Sequence, residues 1–177
     1  MPRWVFGYGS LVWRPGFQYS HSEKATLPGW RRSLTQASPD HRGTPEYPGR
    51  VLTIIESQDA MCIGRAFRVE DEHWDAVHAY LEERESGGYT ATQLPVRIGQ
   101  RIVRAWLWIA FPDNPNFIRD ESLETSLEVI RRAQGASGPN VDYVINLCDA
   151  LHKSDIIDDH LIMISKALEE LLSKDER

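Results

Sequence analysis

Hydrophobic periodicity divides this chain, and the order of the divisions leaves few folds open. Up to Arg68 the apolar residues come in short β-branched and aromatic runs, Trp4–Phe6, Val51–Ile55 and Cys62–Phe67, separated by clusters of proline and glycine. That is the pattern of strands between turns. From Glu70 the period changes. Glu70, Asp71 and Glu72 put acids in a first helical turn, Trp74, Val77 and Leu81 follow at helical spacing, and Gly87-Gly88 ends the run. Two further strands are expected around Tyr89–Ile98 and Ile102–Ala110. The rest reads as helix. Asp120 is expected to cap a helix carrying Leu123, Leu127 and Ile130, and Ser137-Gly138-Pro139 to open a second carrying Val141, Val144, Ile145, Cys148 and Leu151. A third is expected from about Asp155 to Ser173. Strands first with one helix inserted, then helices, predicts an α+β fold and not alternating βαβ units. Its natural scaffold is a mixed or antiparallel sheet curled toward a barrel.

Size and charge narrow the function classes. A chain of 177 residues with 41% hydrophobic composition buries roughly two-thirds of its unfolded surface and holds one core without metal or disulfide staples. We therefore expect a single domain over 1–177, mainly helical from about residue 120. The net charge is −6, but residues 1–60 hold seven basic and five acidic side chains, leaving −8 for the rest. No basic stripe is present to displace counterions, so nucleic acid is not an expected partner. The basic surplus of the first third offers Arg31, Arg32, Arg42 and Arg50 to a small anion. The apolar run at the start is too short for a signal peptide and no stretch of about 18 apolar residues occurs. No membrane partner and a cytoplasmic location with reduced thiols are expected. The six histidines and two cysteines show no zinc spacing, so no metal is expected. Cys148, on an apolar helical stripe, is expected to pack in the core.

Two segments can carry chemistry. In Val5-Phe6-Gly7-Tyr8-Gly9-Ser10 two glycines flank a tyrosine at the end of a strand. Such a loop either presents backbone N–H groups to a carboxylate or oxyanion, or is a strand that bulges and turns. It lacks the Gly-Lys-[Ser/Thr] ending of a phosphate loop, and Ser10 is not in a Gly-Xaa-Ser-Xaa-Gly elbow. The second segment is Tyr80–Tyr89. At about 100° per residue, Glu85 lies within roughly 20° of Trp74 and 40° of Leu81, while Glu83 points about 200° away from Glu85. Glu85 then faces apolar surface, where its carboxyl is costly to ionise and suits general acid/base work. The alternative is a frayed helix end with Glu85 in solvent.

Taken together, Trp4-Val-Phe-Gly-Tyr-Gly-Ser-Leu-Val-Trp13, Asp40-His-Arg-Gly43, Pro48-Gly-Arg-Val51, Tyr80-Leu-Glu-Glu-Arg-Glu-Ser-Gly-Gly-Tyr89 and Gly138-Pro-Asn-Val-Asp-Tyr143 resemble the ChaC-type, glutathione-specific γ-glutamylcyclotransferases. The five blocks are in order and register over about residues 4–170. The resemblance implies a γ-glutamylcyclotransferase-like fold, a small mixed β-barrel flanked by helices. It implies a carbon–nitrogen lyase with glutathione as its small-molecule substrate, 5-oxoproline and cysteinylglycine as products, and no cofactor. Carried over position by position, it places the substrate loop on Val5, Phe6, Gly7, Tyr8, Gly9 and Ser10 and the catalytic acid/base on Glu85. Tyr143 is a candidate substrate contact on the same ground, and Arg42 and Arg50 are candidates for a substrate carboxylate. Pro139 departs from the pattern, which expects a polar or basic residue before Asn140. Two other readings stand beside this one: the same fold acting on other γ-glutamyl amino acids or amines, and a noncatalytic regulatory module.

Overall fold

The computed structural model describes residues 1–175. Seven strands and four helices follow in the order β1 (Arg3–Gly7), β2 (His21–Ser38), β3 (Gly49–Val69), α1 (Trp74–Arg84), β4 (Thr90–Ile98), β5 (Arg101–Ile109), α2 (Leu123–Arg132), β6 (Gln134–Gly135), β7 (Gly138–Pro139), α3 (Asn140–Lys153) and α4 (Asp159–Asp175). Five strands close a barrel in the order β1-β3-β2-β4-β5. The chain resolves into two compact units, Met1–Arg31 with Ile54–Asn114, and Arg32–Thr53 with the residues from Pro115 onward.

In the first unit β1 runs antiparallel to β3, from Arg3 opposite Val69 to Gly7 opposite Arg65. On its other side β1 is parallel to β5, with Trp4 opposite Ala105 and Val5 opposite Trp106. The β4–β5 hairpin pairs from Thr90 opposite Ile109 to Ile98 opposite Arg101. One face of α1 is buried through Trp74, Val77 and Leu81, and these pack with Val5, Leu11, Phe67, Val69 and Trp108 in one apolar cluster. At roughly 1.5–3 kcal/mol per fully buried large side chain, this cluster anchors the helix that carries Glu85 to the strand that carries the glycine turn.

The second unit holds α2, α3 and α4 around Leu127, Ile130, Val144, Leu147, Leu151, Leu161, Ile164 and Leu168. The buried arginines there and Asn140 are paired. Arg50 forks onto Glu121, with Nη2 and Nε donating to Oε1 and Oε2 at 2.6 and 2.9 Å, and the Ser126 hydroxyl donates to the same carboxylate at 2.6 Å. The side chain of Asn140 accepts from the Arg50 N–H at 2.5 Å and donates to the Arg50 carbonyl at 2.8 Å. Arg32, fully buried, meets Asp158 at 3.1 Å.

Several elements differ from expectation. The expected strands did not include His21–Ser38, which contains Pro28-Gly29. The strand continues through it, with Gly29 at φ +79°. The runs Val51–Ile55 and Cys62–Phe67 are one strand, β3, carried across the partly exposed residues 56–61 between them. Ser122, not Asp120, caps α2, its hydroxyl accepting from the Thr125 N–H at 3.1 Å. Asp120 sits at φ +52°, outside the extended conformation an N-cap takes. The segment Gln134–Pro139 forms a two-residue hairpin before α3 begins. The last helix starts at Asp159, after Asp155 at φ +56° and with the Asp158 carboxylate accepting from the Leu161 N–H at 3.1 Å.

Candidate active site

The strand β1 ends in the glycine turn. Val5 and Phe6 are core side chains, 0% and 1% exposed, so what they can present to a ligand is main chain. Gly7 is required by space: a Cβ there would lie 2.7 Å from the Leu11 Cβ. Tyr8 is buried and its hydroxyl donates to the Trp108 carbonyl on β5 at 2.6 Å. After Gly9 the chain makes one 3-10 turn over Ser10–Val12, whose first bond runs from the Val12 N–H to the Gly9 carbonyl at 2.9 Å. The N–H groups of Gly9, Ser10 and Leu11 precede that bond and have no partner within the turn.

Glu85 is the residue just past the end of α1. Its N–H still donates to the Leu81 carbonyl at 2.9 Å, and its backbone leaves the helix at φ −96°, ψ 26°. Its side chain is 21% exposed, so it is neither solvated nor sealed. Burial raises its carboxyl above the ordinary glutamate value of 4.5, and the Arg84 guanidinium, with Nε 3.5 Å from Oε1, partly offsets that. The neighbouring glutamates do other things. Glu82 accepts from the Trp108 indole N–H at 2.9 Å, and Glu83 is exposed.

Arg84 joins the two segments. Its Nη2 donates to the Ser10 hydroxyl at 2.8 Å, while Nη1 donates to the Arg14 and Pro15 carbonyls at 2.7 and 2.9 Å and to the Tyr80 hydroxyl at 2.9 Å. The glycine turn and Glu85 thus meet through one side chain that sequence reasoning did not single out. The signal available was a basic residue in the last turn of a helix, which the helix dipole alone explains.

Arg42, Arg50 and Tyr143 lie in the second unit. Arg42 donates to the Pro139 carbonyl at 3.2 Å and stacks over the Tyr143 ring at 5.4 Å, and the Tyr143 hydroxyl accepts from the Leu52 N–H at 3.1 Å. The Arg50 fork is taken by Glu121 and by the Pro48 and Gly49 carbonyls. Cys148 donates to the Leu161 carbonyl at 3.3 Å, and burial pushes its thiol up to about 11, a poor nucleophile at neutral pH. Among the described residues no cluster of three or more histidine, cysteine or carboxylate side chains is placed to hold a metal. No helix among them is long and apolar enough to cross a membrane.

A closed mixed barrel flanked by helices is the fold of the γ-glutamylcyclotransferases. The crystal structure of the yeast γ-glutamylcyclotransferase specific to glutathione superposes with a TM-score of 0.87 at 28% identity, over 97% of this chain and 99% of that one. The sequence model of the ChaC-like proteins matches residues 3–171, and the chain belongs to that family. Among curated relatives, glutathione-specific γ-glutamylcyclotransferase 1 of Danio rerio is 38% identical over 93% of this chain and 88% of its own length. γ-Glutamylcyclotransferase 2-3 of Arabidopsis thaliana is 35% identical over 99% and 93%.

Proposed function

We propose that this protein is a cytoplasmic, glutathione-specific γ-glutamylcyclotransferase, a carbon–nitrogen lyase whose catalytic domain spans the region matched by the family. The observation that carries the reading is Glu85, held half-buried with a raised proton affinity and linked through Arg84 to the Gly7–Ser10 turn. The names of its relatives supply the substrate class.

The chemistry is intramolecular. The α-amine of the γ-glutamyl group attacks its own γ-carbonyl carbon, a five-membered lactam closes, and the amide C–N bond to the cysteine breaks. No water and no redox change enter the balance, so the reaction calls for neither protein nucleophile nor cofactor. The Glu85 carboxylate relays, one after the other, the two protons that the α-ammonium loses on becoming the lactam N–H to the departing nitrogen, which leaves as an ammonium. A carboxyl tuned upward by burial serves both directions near neutral pH. N–H groups of the Gly7–Ser10 segment hold the glutamyl carboxylate or the developing oxyanion. Folding the substrate into its reactive conformation supplies much of the remaining rate.

Replacing Glu85 with Gln keeps shape and removes the titrating proton. We expect Glu85→Gln to form 5-oxoproline from glutathione about 10²–10⁴-fold more slowly than the parent, read by mass spectrometry. Equal rates would dismiss the proton shuttle. The same assay over a panel of γ-glutamyl amino acids and amines measures how far the enzyme reads beyond the glutamyl half.

A further inference from the structure

We propose that Arg84 is the positioning residue of this active site: its guanidinium fixes the glycine turn onto the end of α1 and holds that turn and Glu85 as one unit. The inference rests on the function proposed above and adds to it a residue with its own geometry.

Arg84 is 18% exposed, and its hydrogen bonds all go to neutral acceptors: two carbonyls, Arg14 and Pro15, and two hydroxyls, Ser10 and Tyr80. An arginine placed for an ion pair alone would fork onto a carboxylate. This one spreads a planar set of donors over four separate groups, three of them on the segment Ser10–Pro15 that follows the glycine turn. A lysine cannot reproduce that, since its ammonium is a compact point charge. The chain after the turn is moulded to this arrangement. Gly16 sits at φ +71°, and a Cβ there would lie 2.2 Å from the Tyr80 hydroxyl oxygen, itself an acceptor for Arg84. Because none of its hydrogen-bond acceptors is charged, the guanidinium keeps its full positive charge for Glu85, the carboxylate within 4 Å of it among the described residues. Glu82 and Glu83, the other acids at this end of α1, are committed to Trp108 and exposed to solvent, respectively.

Position and charge separate experimentally in Arg84→Met and Arg84→Lys. The pH profile of kcat/KM for 5-oxoproline formation is measured with each. In parallel, the Glu85 carboxyl is titrated directly by ¹³C NMR of glutamate-labelled protein, its signal assigned by its loss in Glu85→Gln. Arg84→Met is expected to lower kcat/KM at least about tenfold. It should also move both the Glu85 titration and the acidic limb of the profile to higher pH, because burial stays while the compensating charge is gone. Arg84→Lys is expected to keep the titration near the parent's yet leave kcat/KM depressed, since one ammonium cannot serve four acceptors. An Arg84→Met protein with kcat/KM within twofold of the parent and an unmoved titration overturns the proposal. If Arg84→Met fails to fold by circular dichroism, Arg84→Lys decides, and parental kcat/KM in it overturns the positioning role. A parent that forms no 5-oxoproline sinks the functional reading instead. The NMR titration then judges Arg84 alone, an unmoved signal in Arg84→Met counting against it and a raised one for it.

Discussion

Two arginine–glutamate pairs, one in each compact unit, use the same side chains to opposite ends. Arg50 and Glu121 are 8% and 13% exposed and joined by two hydrogen bonds of 2.6 and 2.9 Å, with Ser126 adding a third. Arg84 and Glu85 are only slightly less buried, at 18% and 21%, but approach no closer than 3.5 Å, because the Arg84 donors are spent on carbonyls and hydroxyls. The carboxyls respond in opposite directions. The Arg50 hydrogen bonds hold Glu121 below the usual glutamate range, whereas burial lifts Glu85 above it. Burial and a nearby cation do not by themselves lock a carboxylate. Direct donors do, and withholding them leaves a group able to take and give a proton.

Breaking the locked pair should have the largest effect. Arg50→Ala strands a buried carboxylate and is expected to cost about 3–5 kcal/mol in urea unfolding at neutral pH; a loss below about 1 kcal/mol would put the two pairs on the same footing. Glu121→Gln keeps the shape but weakens the charge-assisted bonds, and about 1.5–3 kcal/mol should go. Since the folded value of Glu121 lies below 4.5, its contribution is present above that pH and is lost as the pH falls through the folded value. The deficit of the variant should therefore shrink in acid. Glu85→Gln should show the smallest effect and the opposite sign. With its folded value raised above 4.5, Glu85 contributes stability that is complete below 4.5 and lost as the pH rises through the folded value. The variant should melt at or a little above the parent at pH 7–8, by up to about 1 kcal/mol, and match it near pH 4. A variant less stable than the parent at pH 8 would mean that Glu85 is locked after all.

The inward direction of Glu85 was legible because helical spacing persists for one residue beyond the last turn: the Leu81 carbonyl still accepts from the Glu85 N–H. The glycine turn was legible because its restraint is local, a Cβ at Gly7 meeting Leu11 four residues on. Arg84 was not, since the carbonyls it binds lie 70 and 69 residues earlier in the chain and nothing in its neighbourhood points to them. The pairing of Arg50 was hidden for the same reason. Its partner Glu121 is 71 residues away, and nothing in the residues around Arg50 points to it. Strand β2 escaped because Pro28-Gly29 is a turn signal in most contexts, and only pairing within the barrel holds a strand through it.

Closing β1 against β5 has a consequence for how the protein is made. Opened at this seam, the sheet would leave β1 and β5 as unpaired edges, and such edges recruit other chains. The seam that removes them joins Trp4 to Ala105, so during synthesis β1 must wait about a hundred residues for its neighbour. Contacts so distant in sequence form slowly. The stickiest moment in the life of this protein falls before that seam is drawn shut, while the finished ring offers a passing strand nothing to grip.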